Sequence, residues 1–148
     1  MFKDIKEFHD KFGLPASEKP SFLEPEYMKF RIKFLQEEID EFCDAYINGD
    51  LEKAFDALVD LSYVTLGTAF LMGLPWDEGW KLVHEANMLK VRVQQAIDSK
   101  RNSKFDVVKP IGWQAPDLKP LVYEKCDICE VHHGDDIVCL NTNSNIGE

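Results

Sequence analysis

The segment from Leu51 to Met72 constrains the fold most, because it is apolar on nearly every side of a predicted helix. A helix that is apolar all round is buried all round. In a chain of 148 residues, such a helix needs cover from a partner subunit as well as from its own chain. The segment nearly reaches transmembrane length, but Asp60 would be costly in lipid. We therefore expect a buried helix in a homodimer or homotetramer, and no membrane partner.

Helical spacing of apolar residues predicts two helices before this segment. The first covers Met1–Phe12, with Gly13 as its C-terminal cap. The second begins near Pro25, a residue suited to a first turn, and runs to about Ile47. Its predicted core stripe consists of Met28, Ile32, Leu35, Ile39, Phe42 and Tyr46.

The second half of the chain predicts one more helix and then irregular structure. The helix is expected from Asp77 towards Ile97 or Asp98, and Asp50 is the expected N-cap of the apolar helix before it. A basic loop and a segment rich in Pro and Gly follow, without a strong strand pattern. The predicted fold class is all-α: a helical bundle completed by oligomerisation, with an irregular C-terminal tail. We assign residues 1–120 to the helical domain and residues 121–148 to a tail that contains Cys and His.

Charge and cysteine content limit the partners and the compartment. Net charge is −10, which argues against a nucleic-acid duplex, because affinity for one comes largely from Lys and Arg. A nucleotide remains compatible with an acidic protein if a divalent metal lies between carboxylates and phosphates. The four cysteines do not fit a disulfide scaffold, and the first residues lack the apolar stretch of a secretory signal. These features favour a cytoplasmic location.

The second predicted helix carries a cluster of acids. Glu37, Glu38 and Glu41 fall within one arc of the helix, where their charges repel each other unless a cation lies among them. The alternative interpretation is a solvated acidic face. Phe30 and Phe34 share that face, so the acids continue an apolar surface, which favours a binding site.

The apolar helix adds two further acids, Asp56 and Asp60, which are four residues apart and so share one face. Apolar residues flank Asp60, and a buried carboxylate needs a metal, a cation or a hydrogen-bond donor. For Asp56 a capping role is the alternative. Two antiparallel helices joined by a tight turn would bring all five carboxylates together. Oxygen ligands without His or Cys favour Mg²⁺ or Mn²⁺ over zinc.

Polar residues on the fourth predicted helix form a third set. His84 and Asn87 lie on the same predicted inward stripe as Trp80, Val83 and Val91. The alternative for His84 is a hydrogen-bonded core residue. Asn87 and Lys90 supply an amide and a cation, which suit phosphate oxygens or sugar hydroxyls.

In three stretches the chain resembles a known family, the MazG-like all-α NTP pyrophosphatases, whose relatives include phosphoribosyl-ATP pyrophosphohydrolases and dimeric dUTPases. The matching stretches are LQEEIDEF at 35–42, DALVDLSYV at 56–64 and VHEANMLK at 83–90. The resemblance covers roughly Phe30–Leu118. It implies a magnesium-dependent hydrolysis of an NTP or dNTP between its α- and β-phosphates.

The resemblance also implies roles for individual residues. The expected metal ligands are Glu37 or Glu38, Glu41 and Asp60, with Glu38 as a candidate general base. Many relatives have Glu where this chain has Ala57, and Asp56 stands one residue earlier. This arrangement resembles the Asp-x-x-x-Asp form of one branch of the family, so Asp56 is a further candidate ligand, and the identity of the fourth ligand stays open. The candidate substrate-binding residues are Lys33, His84, Asn87, Lys90 and Trp113, the last by stacking on the base. The alternative for Trp113 is a packed tail.

The C-terminal tail carries a possible zinc site, with Cys126, Cys129, His132 and Cys139 as candidate ligands. Free cysteines are the alternative. Two rival functions follow from these patterns. One is a phosphoribosyl-ATP pyrophosphohydrolase, and the other is a non-enzymatic helical interaction module with a zinc-binding tail.

Overall fold

A computed structural model describes residues 1–124 of the chain, which divide into two compact units. The first unit is Met1–Trp76 and the second begins at Asp77. The four long helices are α1 (Phe2–Phe12), α2 (Pro25–Ile47), α3 (Leu51–Leu71) and α4 (Trp76–Met88). The shorter elements are β1 (Val91–Arg92), a 3₁₀ turn (Ala96–Asp98), β2 (Val107–Val108) and α5 (Lys119–Val122). The predicted all-α class is confirmed, and a two-stranded sheet is added to it.

The first three helices begin and end where their caps predict. Gly13 ends α1 in the left-handed region at φ 64°, where glycine meets no steric penalty. Pro25 occupies the first turn of α2. The side chain of Asp50 accepts a hydrogen bond of 3.0 Å from the backbone N–H of Lys53 at the start of α3. A short turn therefore joins α2 and α3 as an antiparallel hairpin, against which α1 packs through α3.

The predicted core stripe of α2 is only partly covered in a single copy of the chain. Met28, Leu35 and Phe42 are half-buried, whereas Ile32, Ile39 and Tyr46 are exposed. The buried residues of α2 are Arg31, Glu38 and Ala45, which are seven apart and so lie on one face of the helix. The spacing of apolar residues identified a stripe of α2 that would be buried in an assembly. It did not show that the neighbouring stripe with Arg31, Glu38 and Ala45 is the one that packs against α3.

The expectation that α3 is buried all round is also wrong within one copy. Its C-terminal half is buried, whereas Leu51, Phe55, Leu58 and Val59 in its N-terminal half are exposed. With a mean hydropathy of 1.3, α3 is long and apolar enough to cross a membrane. A core helix of a soluble protein satisfies the same criteria, so length and composition alone are weak evidence for a membrane span.

The second unit departs from the predicted long helix. α4 ends at Met88 instead of Ile97 or Asp98, and β1 pairs antiparallel with β2, Val91 opposite Val108. β-Branched residues favour this extended pairing, and strands of two residues are too short for a periodic signal. The predicted inward stripe of α4 is wrong too. Trp80, Val83, His84, Asn87 and Val91 are exposed, whereas Ala86 is buried.

Gly73 provides a test of how the loop after α1 is held to the end of α3. The backbone N–H of Ser17 donates to Leu71 O at 2.9 Å, and a Cβ on Gly73 would lie 2.7 Å from the carbonyl oxygen of Ser17. Gly73 has φ 65°, and Gly13 has φ 64° with open space around it. Gly13→Ala therefore measures backbone strain alone, about 1–2 kcal/mol. We expect Gly73→Ala to cost about 1–3 kcal/mol more in the free energy of unfolding by urea. Equal costs would contradict the close approach.

Candidate active site

The five predicted carboxylates converge around Glu38, which α2 places on its buried face with 7% of its surface exposed. Desolvation raises the pKa of Glu38 above its ordinary value, and the negative charges of Glu41, Asp60, Glu37 and Asp56 raise it further. The antiparallel hairpin produces this convergence, because it brings the first turns of α3 beside the last turns of α2. The acids predicted from two separate helices thus form one electrostatic cluster.

The buried member of this acidic cluster differs from the one that the sequence indicated. Apolar flanking residues suggested that Asp60 is buried, but Asp60 is exposed and Glu38 is buried. The flanking residues misled because the N-terminal half of α3 is itself exposed in one copy. Glu37 is exposed as well, and its carboxylate lies 3.3 Å from the ammonium of Lys33, one turn earlier on α2.

The donor set of the acidic cluster fits a hard cation. All five candidate ligands are carboxylates, the ligand type that magnesium and manganese prefer, and a cation would relieve the mutual repulsion that raises the pKa of Glu38. Within residues 1–124, no group of three or more His, Cys, Asp or Glu side chains already has the arrangement of a metal site. Exposed carboxylates on Glu37, Glu41, Asp56 and Asp60 can rotate towards an ion at little cost.

A cleft of about 350 Å³ lies beside the acidic cluster, within the first unit. Its volume is at the lower end of the range of small-molecule sites. Three of its walls are aromatic, and Phe34 lines it together with Glu38, as their shared helix face predicted. The lining residues are Phe8, His9, Arg31, Phe34, Glu38, Asp60, Tyr63, Val64 and Gly67.

Arg31 is a buried cation at this cleft, with 8% of its surface exposed. Its Nε donates to the hydroxyl of Thr68 at 3.0 Å and its Nη2 to the carbonyl of Val64 at 2.7 Å. The guanidinium carbon lies 5.4 Å from the centre of the Phe34 ring. Burial lowers the pKa of Arg31, yet a guanidinium stays charged at neutral pH. The fold thus holds a positive charge on the same face of α2 as Glu38.

His9 approaches the same place from α1. It is 3% exposed, and its Nδ1 lies 3.3 Å from the carbonyl oxygen of Leu14. Desolvation lowers the pKa of His9, an effect that the nearby charge of Arg31 strengthens. His9 is therefore a neutral, buried imidazole at neutral pH.

Neither His9 nor Arg31 was identified from the sequence, although two signals were present. Arg31 stands seven residues before Glu38 and so shares its helix face. Gly67 is an isolated glycine in an apolar helix, a position that often has a packing or functional reason. A Cβ on Gly67 would lie 3.2 Å from Nη2 of Arg31 and 3.3 Å from Nε2 of His9. The missing side chain leaves space for both groups.

The second unit holds the remaining predicted site residues. The indole N–H of Trp113 donates to the carbonyl of Ala86 at 2.7 Å. The ammonium groups of Lys109 and Lys90 lie 4.3 Å and 5.8 Å from the centre of the Trp113 ring. These contacts anchor Trp113 to the end of α4. Its stacking on a base stays a prediction, as do the substrate contacts of His84, Asn87, Lys90 and Lys33.

The basic loop, Lys100–Lys104, is held by one acid, Asp106. Its carboxylate accepts from the hydroxyl of Ser99 at 2.5 Å and from the guanidinium of Arg101 at 2.8 Å, and these bonds lower its pKa. Arg101 is thereby engaged within the loop, while Lys100 and Lys104 are exposed. The candidate zinc ligands Cys126, Cys129, His132 and Cys139 lie outside the described residues.

Comparison with known proteins gives two matches. A family model described as phosphoribosyl-ATP pyrophosphohydrolase matches residues 5–87, more than half of the 148 residues. That segment contains His9, Arg31 and all five carboxylates of the acidic cluster. An uncharacterized protein of Acanthamoeba polyphaga mimivirus is 31% identical over 80 residues, which are 51% of this chain and 32% of the viral protein. The chain therefore spans about a third of the length of that relative.

The raised pKa of Glu38 predicts a stability effect with a defined sign. Because folded Glu38 keeps its proton to a higher pH than unfolded Glu38, the folded state loses stability as pH rises through the interval between the two pKa values. Without divalent metal, Glu38→Gln should therefore raise the urea midpoint at pH 7. This gain should vanish below about pH 4, where the carboxyl is protonated in both states. Asp40→Asn, which alters an exposed acid that is not among those raising the pKa of Glu38, should give no such gain. Equal midpoints of Glu38→Gln and wild type at pH 7 would contradict the buried carboxylate.

Proposed function

This chain belongs to the phosphoribosyl-ATP pyrophosphohydrolase family, within the MazG-like all-α NTP pyrophosphatases, and we propose that it hydrolyses an NTP or dNTP to the monophosphate and pyrophosphate. The family makes it a pyrophosphohydrolase, an enzyme that acts on an acid anhydride in a nucleotide. The observation that carries the proposal is the burial of Glu38 among four other carboxylates, beside a cleft of ligand size.

In the proposed reaction, a water molecule attacks the α-phosphorus of the nucleotide. The bond from that phosphorus to the oxygen bridging towards the β-phosphate breaks, and pyrophosphate leaves. Glu37, Glu41, Asp56 and Asp60 are the residues that would hold Mg²⁺, with Mn²⁺ as a substitute. Bound magnesium supplies charge neutralisation at the phosphate oxygens and activation of water.

Glu38 is the proposed general base. Glu38 is buried among the four carboxylates that would hold the metal, so it is the acid of the cluster left to accept a proton from an attacking water. In this assignment the proton of the attacking water moves to a carboxylate oxygen of Glu38. Burial also keeps that oxygen from bulk water, which would otherwise compete for the proton.

Further substrate contacts are proposed for residues of α4 and its end. Asn87 and Lys90, at the end of α4, would bind phosphate oxygens or ribose hydroxyls, with His84 as a further contact. Lys33, which is paired with Glu37 at 3.3 Å, would balance charge beside the phosphates. We place the reaction in the cytoplasm, where nucleoside triphosphates are made and used.

Phosphoribosyl-ATP is the second candidate substrate, and the description of the matching family favours it. Both reactions split a phosphoanhydride bond next to an α-phosphate, so the same acidic cluster serves either. The third candidate is an interaction module without catalysis, which releases no pyrophosphate.

A homodimer or homotetramer is part of the proposal. Exposed apolar residues follow one face of α2, namely Ile32, Ile39 and Tyr46, and others follow the first half of α3. Apolar patches of this kind mark interaction surfaces on soluble proteins. A second copy of the same chain is the partner that we propose, because identical subunits commonly associate through one shared surface.

Pyrophosphate release tests the reaction. With Mg²⁺, we expect at least one of the eight common NTPs and dNTPs to yield pyrophosphate in an assay coupled to inorganic pyrophosphatase. With EDTA in place of Mg²⁺, no nucleotide should yield pyrophosphate. Glu41→Gln or Asp60→Asn should abolish turnover, because each removes a metal ligand. Glu38→Gln should lower kcat by roughly 10²- to 10⁴-fold, because it removes the base.

Asp40→Asn is the matched control for these variants. Asp40 lies within the same acidic run of α2 but accepts a hydrogen bond of 2.8 Å from Gln36 and is not among the acids that raise the pKa of Glu38. It should keep near wild-type activity. If folded wild type with Mg²⁺ gives no pyrophosphate from this panel, phosphoribosyl-ATP is tested next, and inactivity there too would refute the enzyme.

Sedimentation equilibrium tests the assembly. Wild type should sediment as a dimer or tetramer of the 17.1 kDa chain, and Ile32→Glu should shift it towards the monomer by burying a charge in the interface. Ile111→Glu changes an exposed isoleucine of the second unit and should leave the mass unchanged. A wild-type monomer at micromolar concentration would contradict the proposed assembly.

A further inference from the structure

We propose that the cleft beside the acidic cluster receives the base of the nucleotide, and that Arg31 and His9 select a base with a carbonyl oxygen next to a ring N–H. Uracil, thymine, guanine and hypoxanthine have this edge, whereas cytosine and adenine do not. The inference rests on the proposed function for the position of the phosphates and assigns the substrate class that the same site prefers.

The first step is that Arg31 has an unused donor at the cleft. Its Nε and Nη2 are engaged by Thr68 and Val64, and no carboxylate of residues 1–124 lies within 4.0 Å of its guanidinium. In the part of the chain that the structure describes, every buried side-chain nitrogen and oxygen has a hydrogen-bond partner. Nη1 makes none of these bonds, so it is not fully buried, and Nη2 keeps a second hydrogen besides the one donated to Val64. The Arg31 side chain lines the cleft. A nearly buried cation without a carboxylate is costly, which points to a ligand that pairs with it.

The second step is that His9 presents an acceptor. A carbonyl oxygen can only accept a hydrogen bond, so Nδ1, 3.3 Å from Leu14 O, carries the hydrogen of the neutral ring. Nε2 therefore has a free lone pair. A phosphate oxygen is itself an acceptor and would be repelled there, whereas an N–H of a base would be bound. This distinguishes a base from a phosphate as the occupant.

The remaining hydrogen of Arg31 Nη2 and the lone pair of His9 Nε2 approach the same point on α3. Nη2 carries two hydrogens, of which Val64 O accepts one. Nη2 of Arg31 and Nε2 of His9 are 3.2 Å and 3.3 Å from the position of a Cβ on Gly67. The guanidinium and the imidazole thus both lie next to the uncovered backbone of α3 at Gly67. A planar ring with a carbonyl oxygen beside an N–H can accept from the arginine and donate to the histidine at once. Arginine prefers such a carbonyl oxygen because the hydrogen bond is charge-assisted.

The walls and the length of the site agree with this occupant. Phe8, Phe34 and Tyr63 line the cleft and offer aromatic faces to a flat ring. Arg31 and Glu38 are seven residues apart on one helix, a separation of about 10 Å along its axis. A nucleotide has a similar span from the polar edge of its base to its α-phosphate. The base at Arg31 and the phosphates at the acidic cluster are therefore compatible with one bound molecule.

The test compares substrates that differ in the edge read by Arg31 and His9. We expect kcat/KM to be roughly tenfold or more higher for dUTP than for dCTP, and for dITP than for dATP. Gly67→Ala places a methyl group within 3.3 Å of both Arg31 Nη2 and His9 Nε2. It should bring both kcat/KM ratios close to one. Gly79→Ala is the matched control, because its Cβ would meet its nearest neighbour, a Leu121 methyl carbon, at an ordinary 3.9 Å, and should keep both ratios.

His9→Asn is a second variant that does not depend on steric intrusion. The Asn amide can still donate to Leu14, as Nδ1 does, but it lacks an acceptor at the position of Nε2. It should lower both ratios while leaving the far-UV circular dichroism unchanged. Ratios near one in wild type, or ratios unchanged in both folded variants, would overturn the inference.

Calorimetric binding of non-hydrolysable α,β-imido-dUTP and α,β-imido-dCTP separates this inference from the proposed reaction. Tighter binding of the dUTP analogue, lost in His9→Asn, supports base selection even if no pyrophosphate is released. Equal binding of the two analogues by an enzyme that does release pyrophosphate refutes base selection and leaves the proposed function standing.

Discussion

The burial of charged groups on one face of α2 is the constraint on which the rest of this structure depends. Arg31 and Glu38 lie on the stripe that meets α3, although burying a charge normally costs more than burying an apolar side chain. They cannot neutralise each other, because seven residues separate them by about 10 Å along the helix. Each therefore stays without an oppositely charged partner on the same helix face. That arrangement is costly for folding, and it agrees with the proposed binding of a metal and a nucleotide at this face.

Small residues make this packing feasible. Ala45 on α2 and Ala57, Gly67 and Ala69 on α3 are buried, and small side chains at buried positions leave room for larger polar ones. The cleft opens at Gly67, where the absence of a side chain makes room for Arg31 and His9. The backbone of α3 is therefore uncovered at the bottom of the cleft, and aromatic rings from three helices form its walls.

The orientation of α2 has a consequence for its other face. Since the polar stripe faces inward, the strongest apolar stripe of the helix, with Ile32, Ile39 and Tyr46, is exposed. The first half of α3 is exposed in the same way. One hairpin therefore buries two charged side chains of α2 while it leaves an apolar stripe of the same helix exposed, which departs from an ordinary amphipathic helix. A second copy of the chain would restore the usual balance by covering the apolar stripe.

The sequence by itself determined the first three helices and the proximity of the five acids. Caps and breakers are local, so Gly13, Pro25 and Asp50 predicted the ends of α1, α2 and α3 closely. The acids could be assigned to one site because helical spacing and a tight turn dictate their proximity. Strands of two residues and the early end of α4 were not predictable, because they depend on a pairing between residues distant in the chain.

Only the tertiary structure decided which side of each helix is covered. Periodicity shows that a stripe requires burial, but it does not distinguish burial by the same chain from burial by another copy. For that reason Asp60 was expected to be buried and Glu38 was not singled out for burial. The same limit concealed His9 and Arg31, whose significance arises from meeting across α1, α2 and α3 above Gly67. A contact between three helices has no signature in any one of them.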